Sequence, residues 1–197
     1  MNAVQEELLE RMIQSGALLE GHFKLSSGLH SGNYLQCALL LSHPQNAAFV
    51  GEELAKIIKD FRPDVVVSPA MGGLIVGHEV ARALGVPFLF SERVDGQMQL
   101  RRFPHPGKVR FIIVEDVITT GKSTIEAAAP LIDGGAEWVG VACIADRTGG
   151  DHSLPLPLHS LIALDFPVYE PGGCPICAGN IPLVKPGSRP RPSTANL

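Results

Sequence analysis

The sequence predicts an α/β protein with a mostly parallel central sheet flanked by helices. Short, wholly apolar runs alternate with segments of helical periodicity, the pattern of strands buried on both faces and joined by right-handed crossovers. A polar cluster follows each apolar run, at Ser68 to Gly73, Glu92-Arg93, Glu115 to Ser123 and Asp146-Arg147. Ligands of open parallel sheets bind beyond the carboxyl ends of the strands, so these clusters predict one shared site.

Taken in order, residues 3–15 place Val4, Leu8, Leu9, Met12 and Ile13 on one helical stripe, with Asn2 as cap and Gly16 as stop. Gly21 to Gln36 is rich in Ser, Gly and His, with Phe23, Leu25, Tyr34 and Leu35 interspersed, and reads as a loop or short-strand region that could cover a ligand. Pro44 opens a helix that ends before Pro63. Val65 to Val67 is a strand, and the turn Pro69-Ala-Met-Gly72-Gly73 leads into a helix closed by Gly85. Val86 to Phe90 is the next strand. From Val94 to Pro106 the apolar pattern stops, leaving a loop with its own basic pair, Arg101 and Arg102. Strands follow at Phe111 to Val114, Trp138 to Ile144 and Leu161 to Leu164, with a helix from Ile125 to Ile132 between the first two.

The stretch Glu115-Asp-Val-Ile-Thr-Thr-Gly-Lys-Ser-Thr124 has the composition of a site. Unpaired N–H groups at a helix start, with the helix dipole behind them, favour an anion. Gly121 lets the backbone approach that anion, and the Thr and Ser hydroxyls add donors. Two carboxylates just upstream suit sugar hydroxyls or a magnesium ion rather than the phosphate itself. Gly121-Lys122-Ser123 is not a Walker loop, because position 116 is Asp where that motif requires glycine. No G-x-G-x-x-G occurs.

Val114 to Thr124 resembles the phosphoribosyl-pyrophosphate (PRPP) signature of type I phosphoribosyltransferases. Phe23-Lys-Leu-Ser-Ser-Gly-Leu-His-Ser31, Ser68-Pro-Ala-Met-Gly-Gly73, Glu92-Arg93 and Asp146-Arg147 follow the order and spacing of the orotate branch of that family. The resemblance implies a single phosphoribosyltransferase domain over 1–185, with a small hood mainly over 20–40 and a mobile loop at about 94–106. It implies PRPP contacts from Met71, Gly72, Gly73 and Arg93, and from Glu115, Asp116, Val117, Ile118, Thr119, Thr120, Gly121, Lys122 and Ser123. Glu115, Asp116, Arg93, Arg101 and Arg102 would be catalytic, with His105 a further loop candidate. Thr119, Arg147, Lys24, Tyr34 and Leu35 would hold orotate. Ser26 stands where many relatives carry a lysine, and Gly72 where some do; Lys24 is the nearest substitute for the first. Mg2+ is implied as cofactor, held mainly by PRPP with no direct protein ligand. A homodimer is implied in which the loop completes the neighbour's site. A purine-base transferase and a PRPP-sensing regulatory protein of the same fold are the alternatives.

Composition bounds the rest. At 197 residues, 45% hydrophobic and 18% charged, the chain suffices for one well-buried domain. A net charge of −4 argues against nucleic acid as partner. No apolar run approaches the ~20 residues that span a bilayer, and an acidic N-terminus without a secretory pattern points to the cytoplasm. Cys174-Pro-Ile-Cys177 has metal-knuckle spacing but supplies two of the four ligands that structural zinc requires. Cys37 and Cys143 read as core residues, so a metal there would need a second subunit to share the site. Residues 186–197 carry no apolar pattern and read as disordered.

Overall fold

The structure, a computed structural model, describes residues 1–25 and 27–185; Ser26 and the tail expected over 186–197 lie outside them. In chain order the elements are α1 (Ala3–Gln14), β1 (Leu18–Lys24), β2 (His30–Leu35), α2 (Cys37–Leu41), α3 (Pro44–Ile58), β3 (Val65–Pro69), α4 (Gly73–Leu84), β4 (Phe88–Val94) and β5 (Gln97–Gln99). Then come β6 (Arg110–Ile118), α5 (Lys122–Asp133), β7 (Glu137–Asp146), β8 (Leu158–Ala163), β9 (Val168–Tyr169) and α6 (Pro175–Ala178). They form two compact units, one of residues 1–17 and 37–165, the other of 18–36 with the chain from 166 onward.

The larger unit is built on a six-stranded sheet in the order β5-β4-β3-β6-β7-β8, parallel except at β5. Alternate residues of a strand face opposite sides of a sheet. Val65, Val67, Phe111 and Ile113 accordingly pack against Ala127, Ala128 and Leu131 of α5, and the Trp138 ring stacks on Phe111. On the other face small residues let helices come close. A Cβ on Gly51 of α3 would stand 2.6 Å from Glu79 of α4, and one on Gly77 would stand 2.1 Å from the Ser68 hydroxyl. No helix among the described residues is long and apolar enough to cross a membrane.

Two differences from the sequence expectation bear on the site. Strand β6 does not stop at Val114 but pairs with β7 through Ile118, because the β7 backbone continues alongside to accept it. The 94–106 segment is not structureless at its start. Asp95 and Gly96, with φ of +48° and +85°, turn β4 back onto β5 with Val94 opposite Gln97, which is a type I′ hairpin.

The smaller unit has a three-stranded sheet in the order β1-β2-β9. The segment expected to be a hood is thus mostly an antiparallel hairpin, with a bulge between Glu20 and Phe23. The C-terminal chain closes its free edge: Lys24 N–H donates to the Val184 carbonyl and Val184 N–H to that of His22, both at 2.8 Å.

Candidate active site

The carboxyl ends of β3, β4, β6 and β7 lie along one edge of the six-stranded sheet, in the register Ser68–Phe90 and Ile118–Asp146. Gly121 turns the chain from β6 into α5 with φ +78°, a conformation open to glycine. A side chain there would also strike Leu154 at 2.7 Å. Thr119, Thr120, Lys122 and Ser123 around this turn are exposed, while Thr124 is buried. The turn is fixed from behind by Ser153, whose hydroxyl donates to the Thr120 carbonyl at 3.2 Å. The result is a glycine-turned helix start with Thr119 and Thr120 exposed on it, a form suited to a phosphate, and the Lys122 N–H donates to Thr120 Oγ1 at 3.4 Å.

The two carboxylates take opposite faces of β6, as neighbours on a strand must. Glu115 turns toward α5 and is 5% exposed; its Oε1 accepts from Ser123 Oγ at 3.1 Å and from Thr124 Oγ1 at 3.3 Å. Asp116 turns toward the β3–α4 loop, where a Cβ on Gly72 would stand 2.6 Å from its Oδ1. Both carboxyls are thus within reach of the loops expected to hold PRPP, but Glu115 lies under the α5 start rather than above it.

Burial, with the Asp116 charge next in effect, pushes the Glu115 carboxyl up to about 8, although the two hydroxyls pull the other way. Burial also raises Asp116, against hydrogen bonds from backbone N–H groups that include Val117. Adjacent buried carboxyls do not readily ionise together. Glu115, pushed to about 8, is the carboxyl that stays protonated at neutral pH.

The β3–α4 loop is held by contact rather than by conformation. Ser68 Oγ donates to the Val114 carbonyl at 2.6 Å, and a Cβ on Gly73 would meet Ser68 at 2.8 Å. Met71 and Gly72 are exposed beside Asp116. Only glycine at position 72 leaves room for the carboxylate, so the absent lysine is replaced by open backbone.

The expected pyrophosphate cations are distributed differently. Arg93 pairs with Glu126 of α5 and donates to the Gly96 carbonyl. Arg102 grips both oxygens of Glu92, and Arg101 lies 3.9 Å from the same carboxylate. Phe103 packs edge-on to Phe90. His105 is exposed, accepts from Gly107 N–H at 3.0 Å, and its ring lies against Gly134. Gly134 ends α5, about 18 Å from the helix start, so this conformation keeps His105 away from the phosphate-type loop. Sequence reasoning placed Glu92 in the polar cluster beside Arg93 without pairing it with Arg102, and it missed Glu126 as the partner of Arg93.

Arg147 follows β7 directly, with its N–H donating to the Ile118 carbonyl at 2.8 Å. This places it on the same edge as Thr119. The Asp146 Oδ1 accepts from Thr148 N–H at 2.8 Å. Lys24, exposed on β1, and Tyr34 and Leu35 of β2 belong to the smaller unit, where Tyr34 packs on Phe23.

A helix start, two carboxyls and an arginine thus lie on one parallel-sheet edge, an arrangement that suits a phosphosugar. Residues 38–152 match the phosphoribosyl transferase domain. The orotate phosphoribosyltransferase of Thermotoga maritima is 50% identical over 186 residues, covering 93% of this chain and 97% of that protein. That of Chlorobium phaeobacteroides is 48% identical over 89% of this chain and 91% of its own. The crystal structure of Mycobacterium tuberculosis orotate phosphoribosyltransferase with inorganic phosphate superposes with a TM-score of 0.69 at 25% identity, covering 83% of this chain and 97% of that one. The chain belongs to the phosphoribosyltransferase family, among its orotate phosphoribosyltransferases.

Proposed function

We propose that the chain transfers the phosphoribosyl group of PRPP to orotate, giving orotidine 5′-monophosphate and pyrophosphate in de novo pyrimidine synthesis. The observation that carries this is the meeting of the α5 start, Asp116 and Arg147 on one sheet edge. The exposed turn from Thr119 to Ser123 holds the 5-phosphate through amides and hydroxyls. Arg147, with Thr119, holds the base carboxylate, for which a guanidinium offers two parallel hydrogen bonds. As the bond at ribose C1 breaks ahead of attack by nitrogen, positive charge grows on the ribose, and ionised Asp116 stabilises it. Glu115 anchors Ser123 and Thr124 while neutral, and nearby positive charge favours its ionised form.

The leaving pyrophosphate meets the open backbone of Met71, Gly72 and Gly73 and the guanidinium of Arg93. Arg101 and Arg102 of the following loop are assigned to it as well, released from Glu92 and acting on the neighbouring subunit of a homodimer. The oxygen-bearing Asp116 beside an anion site fits a hard cation that takes oxygen ligands. Mg2+ carried on PRPP supplies charge to the leaving group. Base contacts from Lys24, Tyr34 and Leu35 are carried by the resemblance alone. Four free thiols support a cytoplasmic location.

Pyrophosphate release from PRPP with magnesium, compared across orotate, uracil and hypoxanthine, tests the reading. Release with orotate alone is expected. Release with hypoxanthine would make this a purine enzyme, and PRPP binding without release under any base would make it a sensor. Arg147→Ala should raise the KM for orotate about tenfold to a hundredfold, the value of a charge-assisted pair, with little change in that for PRPP.

A further inference from the structure

The smaller unit is centred on polar groups. Among its described residues, Phe23, Leu35 and Cys174 are the buried hydrophobic side chains, and His22, His30 and Ser31 are buried beside them at 3%, 5% and 0% exposure. A unit of roughly forty described residues cannot bury enough apolar surface to stand on that alone, and units of this size usually rely on disulfides or metals. All four cysteines of the chain are free thiols. Two imidazoles and two thiols nevertheless converge: His22 and His30 with Cys174 and Cys177, their candidate ligand atoms all within 4.8 Å of one another.

We infer that these four side chains form a structural zinc site. Four of the six separations are close to those of a ligand shell, and all lie within 4.8 Å. His22 Nε2 lies 3.0 Å from His30 Nδ1, 3.5 Å from Cys174 Sγ and 3.6 Å from Cys177 Sγ, and Cys177 Sγ lies 3.4 Å from His30 Nδ1. Zinc bonds of about 2.0–2.1 Å to nitrogen and 2.3 Å to sulfur give a tetrahedron with edges of about 3.3–3.8 Å. The second shell fixes the proton. His22 Nδ1 lies 2.8 Å from the Ile181 carbonyl, which can only accept. Nδ1 therefore carries the hydrogen, and Nε2 presents its lone pair to the cluster, as metal-binding histidines do. A hydrogen bond between the two imidazoles would explain one of these close contacts; a cation explains all four.

The fold brings the ligands together from both ends of the unit. Phe23 stands opposite Ser31 in the hairpin, so His22 and His30, one residue before each, share the other face. Cys174 caps α6 and Cys177 lies within it, one helical turn apart. The Val184 pairing with β1 ties the same C-terminal segment to the hairpin. The site closes within one chain. Cys174 and Cys177, two ligands in the sequence, gain the other two from His22 and His30 of the same chain. The proposal does not depend on which base the enzyme takes.

The test is the metal content of the purified full chain, reconstituted with zinc and dialysed against metal-free buffer. About one zinc per chain is expected. Cys177→Ser, at an exposed position, and His30→Gln should each lower retention about tenfold or more. Should either variant fold poorly, the wild-type chain decides the matter by cobalt substitution. Tetrahedral cobalt bands with a thiolate charge-transfer band support the site. Zinc retention undiminished in both folded variants, no stoichiometric metal in the wild type, or a Cys174–Cys177 disulfide after aerobic purification would each overturn it. A zinc-selective chelator in excess magnesium should also lower the melting temperature, and an unchanged temperature would count against the site.

Discussion

The two units bury themselves by different means. The larger unit covers a parallel sheet with helices, and its interior of Val65, Val67, Phe111, Ile113 and Leu131 is apolar throughout. Its polar groups are pushed to the strand ends, where they become the site. The smaller unit has few apolar residues to bury and places histidines and a cysteine at its centre. One is held by dispersion and the hydrophobic effect, which are spread over many contacts. The other, on the reading above, is held by a few bonds to one ion, which can be removed in a single step. The phosphate-type loop is thus carried by the unit with the apolar core, while the hairpin's own stability rests, on the reading above, on four ligands.

The comparison can be broken first at its most sensitive point. Phe111→Ala should cost about 3–5 kcal/mol by opening a cavity in the larger unit, measured by denaturant unfolding. The loss should be the same with zinc present or chelated; a loss that depends on zinc would mean the two interiors are not independent. The next largest effect concerns Glu115, the buried carboxyl of the larger unit among its described residues. Its pKa is raised in the folded chain to about 8 from an ordinary 4.5. The neutral form's contribution is therefore full below about pH 4.5 and is lost as pH rises through about 8, by up to about 5 kcal/mol. Glu115→Gln should match the wild type near pH 4.5 and exceed its stability above pH 8. Parallel stability curves for the two proteins would show that Glu115 ionises normally. The smallest effect sharpens the contrast between holding the fold and doing chemistry. Arg102→Ala removes an exposed pair with Glu92 and should change stability by less than about 1 kcal/mol. Turnover should nonetheless fall if Arg102 reaches pyrophosphate, and unchanged turnover would remove that role.

Much of the large unit was legible because its signals are local. Val65 to Val67 and Phe111 to Ile113 are continuous apolar β-branched or aromatic runs, and Gly121 marks the one turn a helix-start phosphate loop requires. The Asp95-Gly96 hairpin is equally local, but the polar run that follows it carries no strand pattern beyond Gln99. Glu115 and Asp116 were identified as site residues, but their separation onto opposite faces of β6 followed only from the strand running on to Ile118. That length was set by pairing with β7 and not by the residues themselves.

By itself the sequence determined the parallel α/β class, the phosphate-type loop at Thr119 to Ser123 and the edge on which Arg147 falls, because each depends on neighbours within a few positions. Only the tertiary structure decided that Gly72 makes room for Asp116, that Glu126 and Glu92 hold the arginines, and that His22 meets Cys174 across 152 residues of chain. Such contacts join residues whose spacing in sequence carries no period, so no local pattern could have announced them.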